Sequence, residues 1–420
     1  MNRMDGRVEN PGLRQGIHVV AKPVGPLCNL DCGYCFYLEK RSLFGTNASY
    51  RMSDQVLSAL IHNYAVSQPT PTAEIVWQGG EPTLAGLDFF KKAVREQRRY
   101  ASQKTFKNSL QTNGTMLTDE WCAWLKQNHF TVGISLDGPE AIHNAYRGDR
   151  RGTGSFKSVL RGLRALQKHG VEYNVLACVA RDTAKRPLEV YSFLKNEGVE
   201  FIQFLPVVER ISGEEGSPRG SRLAGPAHLD EAENQQVAPW TVVPEEYADF
   251  LIAICEDWVR HDVGAVFVMN FEWALNAWIG NPSPVCVHAP RCGRAVAVEH
   301  NGDVYACDHF VYPEYLLGNV ADDSLEQMVE RSLTRGFGLS KQHSLPEQCR
   351  ACPVLSGCWG GCPKQRFATT ASGEPGLAYL CAGYRKFFLH IRKYLQPLAQ
   401  LVAKGLPASR IMDSIPRSAG

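Results

Sequence analysis

What the chain lacks narrows it first. Its 45 Lys and Arg nearly balance 43 Asp and Glu, leaving a formal net charge of +2 over 420 residues. With no excess of either sign there is no broad field of the sort that draws nucleic acid or anionic membrane, so a partner has to be recognised by shape and local chemistry. Long apolar runs are missing too. No window approaches the roughly 20 residues that a membrane span requires, and the opening MNRMDGRVENPGLRQG has no apolar core of the kind a secretory leader carries. These absences predict a soluble, cytoplasmic protein with no nucleic-acid or membrane partner. No internal repeat is visible, which excludes solenoids and propellers. Cytosolic thiol systems keep structural disulfides reduced, so the fourteen cysteines point to metal or redox chemistry instead.

The length allows two or three domains, and 44% hydrophobic composition supports a sizeable core. From residue 17 onward, β-branched runs alternate with amphipathic ones: IHVVAKP, AEIVWQG, FKNSLQT, TVGISLD, VEYNVLACVA and VEFIQFLPVV, separated by helical stretches several of which open on a capping Ser, Thr or Asp. This is the pattern of βα units around a parallel sheet, and six strands predict a partial (β/α)6 barrel over 17–240. A polar tail, 1–16, precedes it. Residues 210–240, rich in Gly, Pro and charge, read as a flexible insertion. A helical linker, 241–285, leads to a cysteine-rich region, 286–400, that ends in an apolar helix, with a short tail at 401–420. Too little of the cysteine-rich region is apolar for it to fold alone, and bound metal would supply the missing stability.

The run CNLDCGYCFYLEK places Cys28, Cys32 and Cys35 directly after the first strand, on the edge where α/β barrels carry their chemistry. A zinc site would need a fourth donor from elsewhere to close its shell. Thiolates also suit iron–sulfur clusters, and three of them on a four-iron cube leave one iron open to another ligand. Later come Cys286, Cys292 and Cys307, then CRACPVLSGCWGGC with Cys349, Cys352, Cys358 and Cys362, and finally Cys381. Eight thiols fill two four-coordinate sites, which zinc and iron–sulfur chemistry satisfy equally. Cys122, Cys178 and Cys255 lie in apolar or amphipathic runs and read as buried packing residues. His288 and His309 stand near proposed ligands, but an ordinary buried or surface histidine is the commoner case.

CxxxCxxC with an aromatic, Tyr34, before its third cysteine resembles the signature of the radical S-adenosylmethionine (SAM) enzymes. Their first cluster binds SAM through its open iron and cleaves it to a 5′-deoxyadenosyl radical. WQGGEP, one strand later, resembles the motif that holds the SAM amino group, with Gln78 and Gly80 in it, and its glycines allow close backbone approach. By the same resemblance Ser135, Arg147 and the segment around Val208 line SAM; a guanidinium such as that of Arg147 can grip a carboxylate with two parallel hydrogen bonds.

The later cysteines resemble the SPASM extension of that superfamily, which carries two auxiliary 4Fe–4S clusters. Within it, Cys286–x5–Cys292, Cys307 and the adjoining Asp308 are most similar to the anaerobic sulfatase-maturating enzymes. The resemblance implies three 4Fe–4S clusters. Cys286, Cys292, Cys307 and Cys362 hold one auxiliary cluster, and Cys349, Cys352, Cys358 and Cys381 the other. Asp308 is then the catalytic base. The implied reaction is hydrogen abstraction from Cβ of a Cys or Ser in an unfolded sulfatase polypeptide, loss of a proton and an electron, and formation of Cα-formylglycine. Flavodoxin or ferredoxin serves as electron donor. Two other readings share parts of the pattern: a SPASM enzyme that crosslinks a peptide, with all the same ligands, and a non-catalytic zinc-stabilised binding protein.

Overall fold

The structure is a computed structural model that describes residues 16–45, 49–215, 221–225 and 236–415. Six strands follow one another as the sequence predicts: β1 (His18–Ala21), β2 (Thr72–Trp77), β3 (Thr105–Thr112), β4 (Thr131–Ser135), β5 (Glu172–Val179) and β6 (Phe201–Pro206). All pair in parallel and in chain order. Parallel pairing demands a long crossover, and each one here contains a helix. Sequence punctuation starts those helices. Ser53 accepts from the Val56 N–H at 3.2 Å and opens Asp54–Ser67; Thr118 accepts from Trp121 at 3.3 Å and opens Asp119–Gln127. Along the strands buried residues alternate with less buried ones, as in β2, where Ala73, Ile75 and Trp77 are buried; the Trp77 ring, 0% exposed, still finds a partner for its indole N–H in Asn108 at 2.8 Å.

The sheet does not stop at six strands. Within 210–240, β7 (Ile211–Glu215) and β8 (Ser221–Leu223) form a hairpin, and Arg210 bridges Val237 where the chain returns. The rest of the segment predicted to be flexible, 216–220 and 226–235, lies outside the described residues, as do 1–15 of the polar tail and 416–420. Two-residue β9 (Phe267–Val268) adds in parallel to β6. Beyond β1 come β10 (Ala295–Val298), parallel, then β11 (Asp303–Tyr305) and β12 (Leu316–Asn319), antiparallel. One ten-stranded sheet thus runs β12-β11-β10-β1-β2-β3-β4-β5-β6-β9. From Cys286 to the apolar C-terminal helix the sequence predicts metal-held loops and no strands. In RAVAVEHNGDVYACDHF the alternation AVAV, the Asn301–Gly302 turn and the run VYA are a hairpin signal that the cysteine spacing overshadowed.

The C-terminal helix, Cys381–Ala403, starts at a proposed ligand and packs on Pro244–His261. Gly383 permits the approach: a Cβ there would stand 2.0 Å from the Pro244 carbonyl oxygen. Glu256 locks the far end. Its carboxylate receives Tyr394 Oη at 2.6 Å and lies 2.7 Å from His390 Nε2, 2.9 Å from Lys393 Nζ and 2.7 Å from Arg260 Nη2. Burial would raise its pKa, but these donors together hold it well below the usual carboxylate range. Among the described residues no helix is long and apolar enough to cross a membrane.

Glu256→Gln should therefore lower unfolding stability at neutral pH by about 1–3 kcal/mol, read by urea denaturation. Because the folded pKa is depressed, the carboxylate's contribution is complete above its unfolded value of about 4.3 and drains away below it. The gap between variant and parent should accordingly narrow below about pH 4; a gap that stays constant into acid would refute the role of the charge.

Candidate functional site

Loops leaving the carboxyl ends of β1 to β6 meet at one mouth, and the triad sits in the first of them. Its backbone is pinned across the barrel: Asp31 N–H donates to Gly148 O and Gly33 N–H to Tyr146 O, both at 2.8 Å. Gly80 lets the β1 and β2 loops touch. A Cβ on it would lie 2.0 Å from the carbonyl oxygen of Leu27, the residue before Cys28. The glycine predicted to approach a ligand therefore also makes room for the triad loop itself. Glu81, 0% exposed, ties the next loops together by accepting from Thr83 Oγ1 at 2.6 Å, Thr112 Oγ1 at 2.7 Å and the Asn113 N–H at 2.7 Å. Asn113 reaches back to Asn29 Oδ1 at 2.8 Å, and its Nδ2 stands 3.8 Å from Cys28 Sγ.

On the opposite side of the triad, Asp137 is 1% exposed. It takes Arg147 Nε at 2.8 Å, the Cys178 N–H at 2.9 Å and the Tyr34 hydroxyl. Arg147 also lies over the Tyr34 ring, 5.4 Å from its centroid. The carboxylate Arg147 meets is thus a protein group, held by one nitrogen. Ser135, at the end of β4, receives Gln111 Nε2 at 3.2 Å, and Val208 is buried just beyond β6. Cys178 departs from its predicted role as simple packing: next to last in β5, it has Sγ 3.6 Å from Arg147 Nη2 and packs against the cluster that holds Tyr34 and Cys32. Cys122 and Cys255 are buried in the main core as expected. Burial is the main reason that Cys28 and Cys32 are pushed up to about 12. Such thiols give up their protons when a metal binds.

Asp308 joins this mouth from the other end of the chain. Lys22, the residue after β1 and 0% exposed, hydrogen-bonds its Oδ1, and Gln78 Nε2 lies 3.4 Å from Oδ2. Burial works against ionisation of Asp308, yet Lys22 first, then His309, outweighs it and holds the pKa below the ordinary value. Lys22 rests over the Tyr37 ring at 4.1 Å, and the Tyr37 hydroxyl is hydrogen-bonded to buried Glu299. Gln78, expected beside SAM, is thereby also a neighbour of Asp308.

Among the eight later thiols, several act on one another electrostatically. Burial pushes Cys292 up to about 12, and Cys362 and Cys286 act on it as neighbours; burial likewise raises Cys307, with Asp308, Cys362 and Cys286 adding to it. Cys358, pushed up to about 12 by burial, feels Cys381, Cys349 and Cys352, and the last two also act on Cys381. Both histidines set aside in the sequence stand among these thiols. His309 Nδ1 is 3.5 Å from Cys362 Sγ, and the His288 ring packs edge-on against Tyr384 and Phe388, two residues beyond Cys286. Besides Lys22, two buried cations near these thiols escaped the sequence reading. Lys341, 1% exposed, donates to the carbonyls of Cys286 at 2.5 Å, Val287 at 3.1 Å and Ala289. Arg366, 8% exposed, donates to Gly360 O at 2.8 Å, Trp359 O at 2.7 Å and Lys341 O at 2.6 Å. Nothing in their local sequence marks them.

Among the described residues no three His, Cys, Asp or Glu side chains converge closely enough for a single metal ion. The indole N–H of Trp240, which packs against the apolar cluster that holds Cys32 and Tyr34, is buried with no partner among the described residues. That is an unspent donor suited to a bound polar ligand such as SAM.

Comparison with known proteins gives the same outline. A model of the radical SAM superfamily matches residues 23–194, and one of an iron–sulfur cluster-binding (SPASM) domain matches 286–353. The chain is 43% identical to a serine-type anaerobic sulfatase-maturating enzyme of Bacteroides thetaiotaomicron over 95% of both chains. It is 30% identical to a cysteine-type enzyme of Clostridium perfringens, over 89% of this chain and 95% of that one. The solved structure described as native anSMEcpe with bound AdoMet and Cp18Cys peptide superposes with a TM-score of 0.79 at 30% identity, covering 92% of this chain and 99% of that one.

Gly80→Ala should displace the triad loop. Anaerobically reconstituted variant protein is expected to lose about four irons of a full complement of about twelve, with its circular dichroism unchanged; full iron uptake would show that the close contact with Leu27 is dispensable.

Proposed function

The chain belongs to the anaerobic sulfatase-maturating enzymes of the radical SAM superfamily, and on that footing we propose that it oxidises an active-site Ser or Cys of a sulfatase polypeptide to Cα-formylglycine. It is a radical SAM enzyme, and its cofactors are SAM and iron–sulfur clusters. The observation that carries the reading is the position of Asp308. It adjoins Cys307 in sequence, yet it is held by Lys22 and Gln78 from the loops after β1 and β2, on which the triad also depends.

Cys28, Cys32 and Cys35 would hold the cluster that binds SAM, with Tyr34, Gly80, Ser135, Arg147 and Val208 around it. Cys286, Cys292, Cys307 and Cys362 would hold one auxiliary cluster, and Cys349, Cys352, Cys358 and Cys381 a second. The grouping of thiols by mutual influence supports this partition. When bound, SAM and its cluster supply hydrogen-atom abstraction from the substrate Cβ. The chain's own residues do the rest. Asp308, kept ionised by Lys22, accepts the hydroxyl or thiol proton as the carbon is oxidised, while Gln78 steadies the second carboxylate oxygen. Buried Tyr37, Glu299 and Lys22 leave little room for bulk water behind the base.

The greater likeness to the serine-type enzyme favours a Ser-bearing peptide. In this reading a barrel, 17–240, and an auxiliary-cluster region, 286–400, are joined by the helical stretch 241–285. The electron donor would be a flavodoxin or ferredoxin, and the setting the cytoplasm.

The test is anaerobic incubation of reconstituted enzyme with SAM, reductant and sulfatase-motif peptides bearing Ser or Cys, read by mass spectrometry. Aldehyde should form on the Ser peptide and fall by about 10²-fold or more in Asp308→Asn, with 5′-deoxyadenosine still released. A crosslinked product, or deoxyadenosine beside unmodified peptide in the parent enzyme, would overturn the assignment.

A further inference from the structure

We propose that Lys341, backed by Arg366, supplies the positive charge that sets the reduction potential of the cluster held by Cys286, Cys292, Cys307 and Cys362. This rests on the reading above that these thiols hold a cluster. Lys341 is 1% exposed, and the groups that act on it most strongly are Cys292, Cys286, Arg366 and Cys362. Three of those four belong to this one thiol set. Arg366 in turn lies under the influence of Cys349, Cys292, Cys358 and Cys362, so it stands between the two sets. Neither cation meets a carboxylate among the described residues.

Two adjacent buried cations without anionic partners are costly in a folded chain unless something else neutralises them. Hydrogen bonding alone does not explain the choice of residue. Burial pulls Lys341 down to about 8, still above neutral pH, and its donors go to three backbone carbonyls, of Cys286, Val287 and Ala289, which satisfy its hydrogens without neutralising its charge. A 4Fe–4S core on four thiolates carries about two net negative charges and about three once reduced. Each added electron is opposed by that charge, and a fixed, unscreened cation beside it offsets the opposition. The location fits the demand. A serine side chain that has lost a hydrogen atom from Cβ becomes an aldehyde by giving up one proton and one electron. Asp308 would take the proton, and a cluster held in part by Cys307, the next residue, would supply a one-electron acceptor beside it. The acceptor has to be poised to take it.

The experiment is an EPR-monitored redox titration of anaerobically reconstituted full-length protein carrying Lys341→Met, Lys341→Gln or Lys341→Arg. The neutral variants should keep their iron while one auxiliary signal shifts to more negative potential, by a tenfold or greater loss in its reduction equilibrium, about 59 mV or more for a one-electron couple. Lys341→Arg should restore the parent value. Iron retained at an unchanged potential would reduce Lys341 to a tie for the 286–289 backbone and overturn the proposal. So would loss of iron from both neutral variants with retention in Lys341→Arg. If the parent protein itself takes up iron only at the triad, the cluster assignment fails first, and that outcome is recognisable before any variant is made.

Discussion

The pairing of β1 with β10 is the constraint on which the rest depends. Residues 18–21 pair in parallel with 295–298 on one side and with β2 on the other, so a strand from the cysteine-rich region is built into the barrel's own sheet. Lys22 leaves β1 at one end of that pairing, and Asp308 follows the hairpin partner of β10. Their contact is a consequence of the register. Were the cysteine-rich region tethered only by its linker, the triad and Asp308 would sit on independent bodies, and the fixed geometry that the proposed reaction needs between them would be lost.

A second theme is the burial of charge. Glu81, Lys22, Asp137, Arg147, Lys341 and Arg366 are each nine-tenths or more buried. Such groups are tolerable only when hydrogen-bonded and neutralised. Glu81 has its donors, and Asp137 pairs with Arg147; Lys22 has Asp308. Lys341 and Arg366 have carbonyls, which satisfy their hydrogens but not their charge, and they stand among thiols whose protons leave when metal binds. The polar interior is therefore concentrated where cofactors and substrate are expected, while the outer helices are held by apolar faces and by surface clamps such as Glu256.

How much was legible beforehand follows from how local each signal is. The triad was readable because its three thiols fall within eight residues of one loop, and the strand before it placed that loop at the mouth. The six parallel strands were readable because their apolar alternation is contained in each run. The contact of Gln78 with Asp308 and that of Cys178 with Arg147 were not legible, since both form only when neighbouring strands come together. The β10–β12 extension was missed although the Asn301–Gly302 turn announced it, because the cysteines around it drew a metal-loop reading.

The sequence by itself determined the chemistry on offer: three clustered thiols short of a closed shell, eight more in a spaced array, and an acid beside one of them. Those facts are fixed by covalent order, and a resemblance in spacing carries them to a family. Only the tertiary structure decided which groups act together. Lys22 meets Asp308 across 286 positions, and Lys341 meets the backbone at Cys286 across 55. A lysine's role is set by what its charge faces at a few ångström, and no local pattern in the chain encodes that distance.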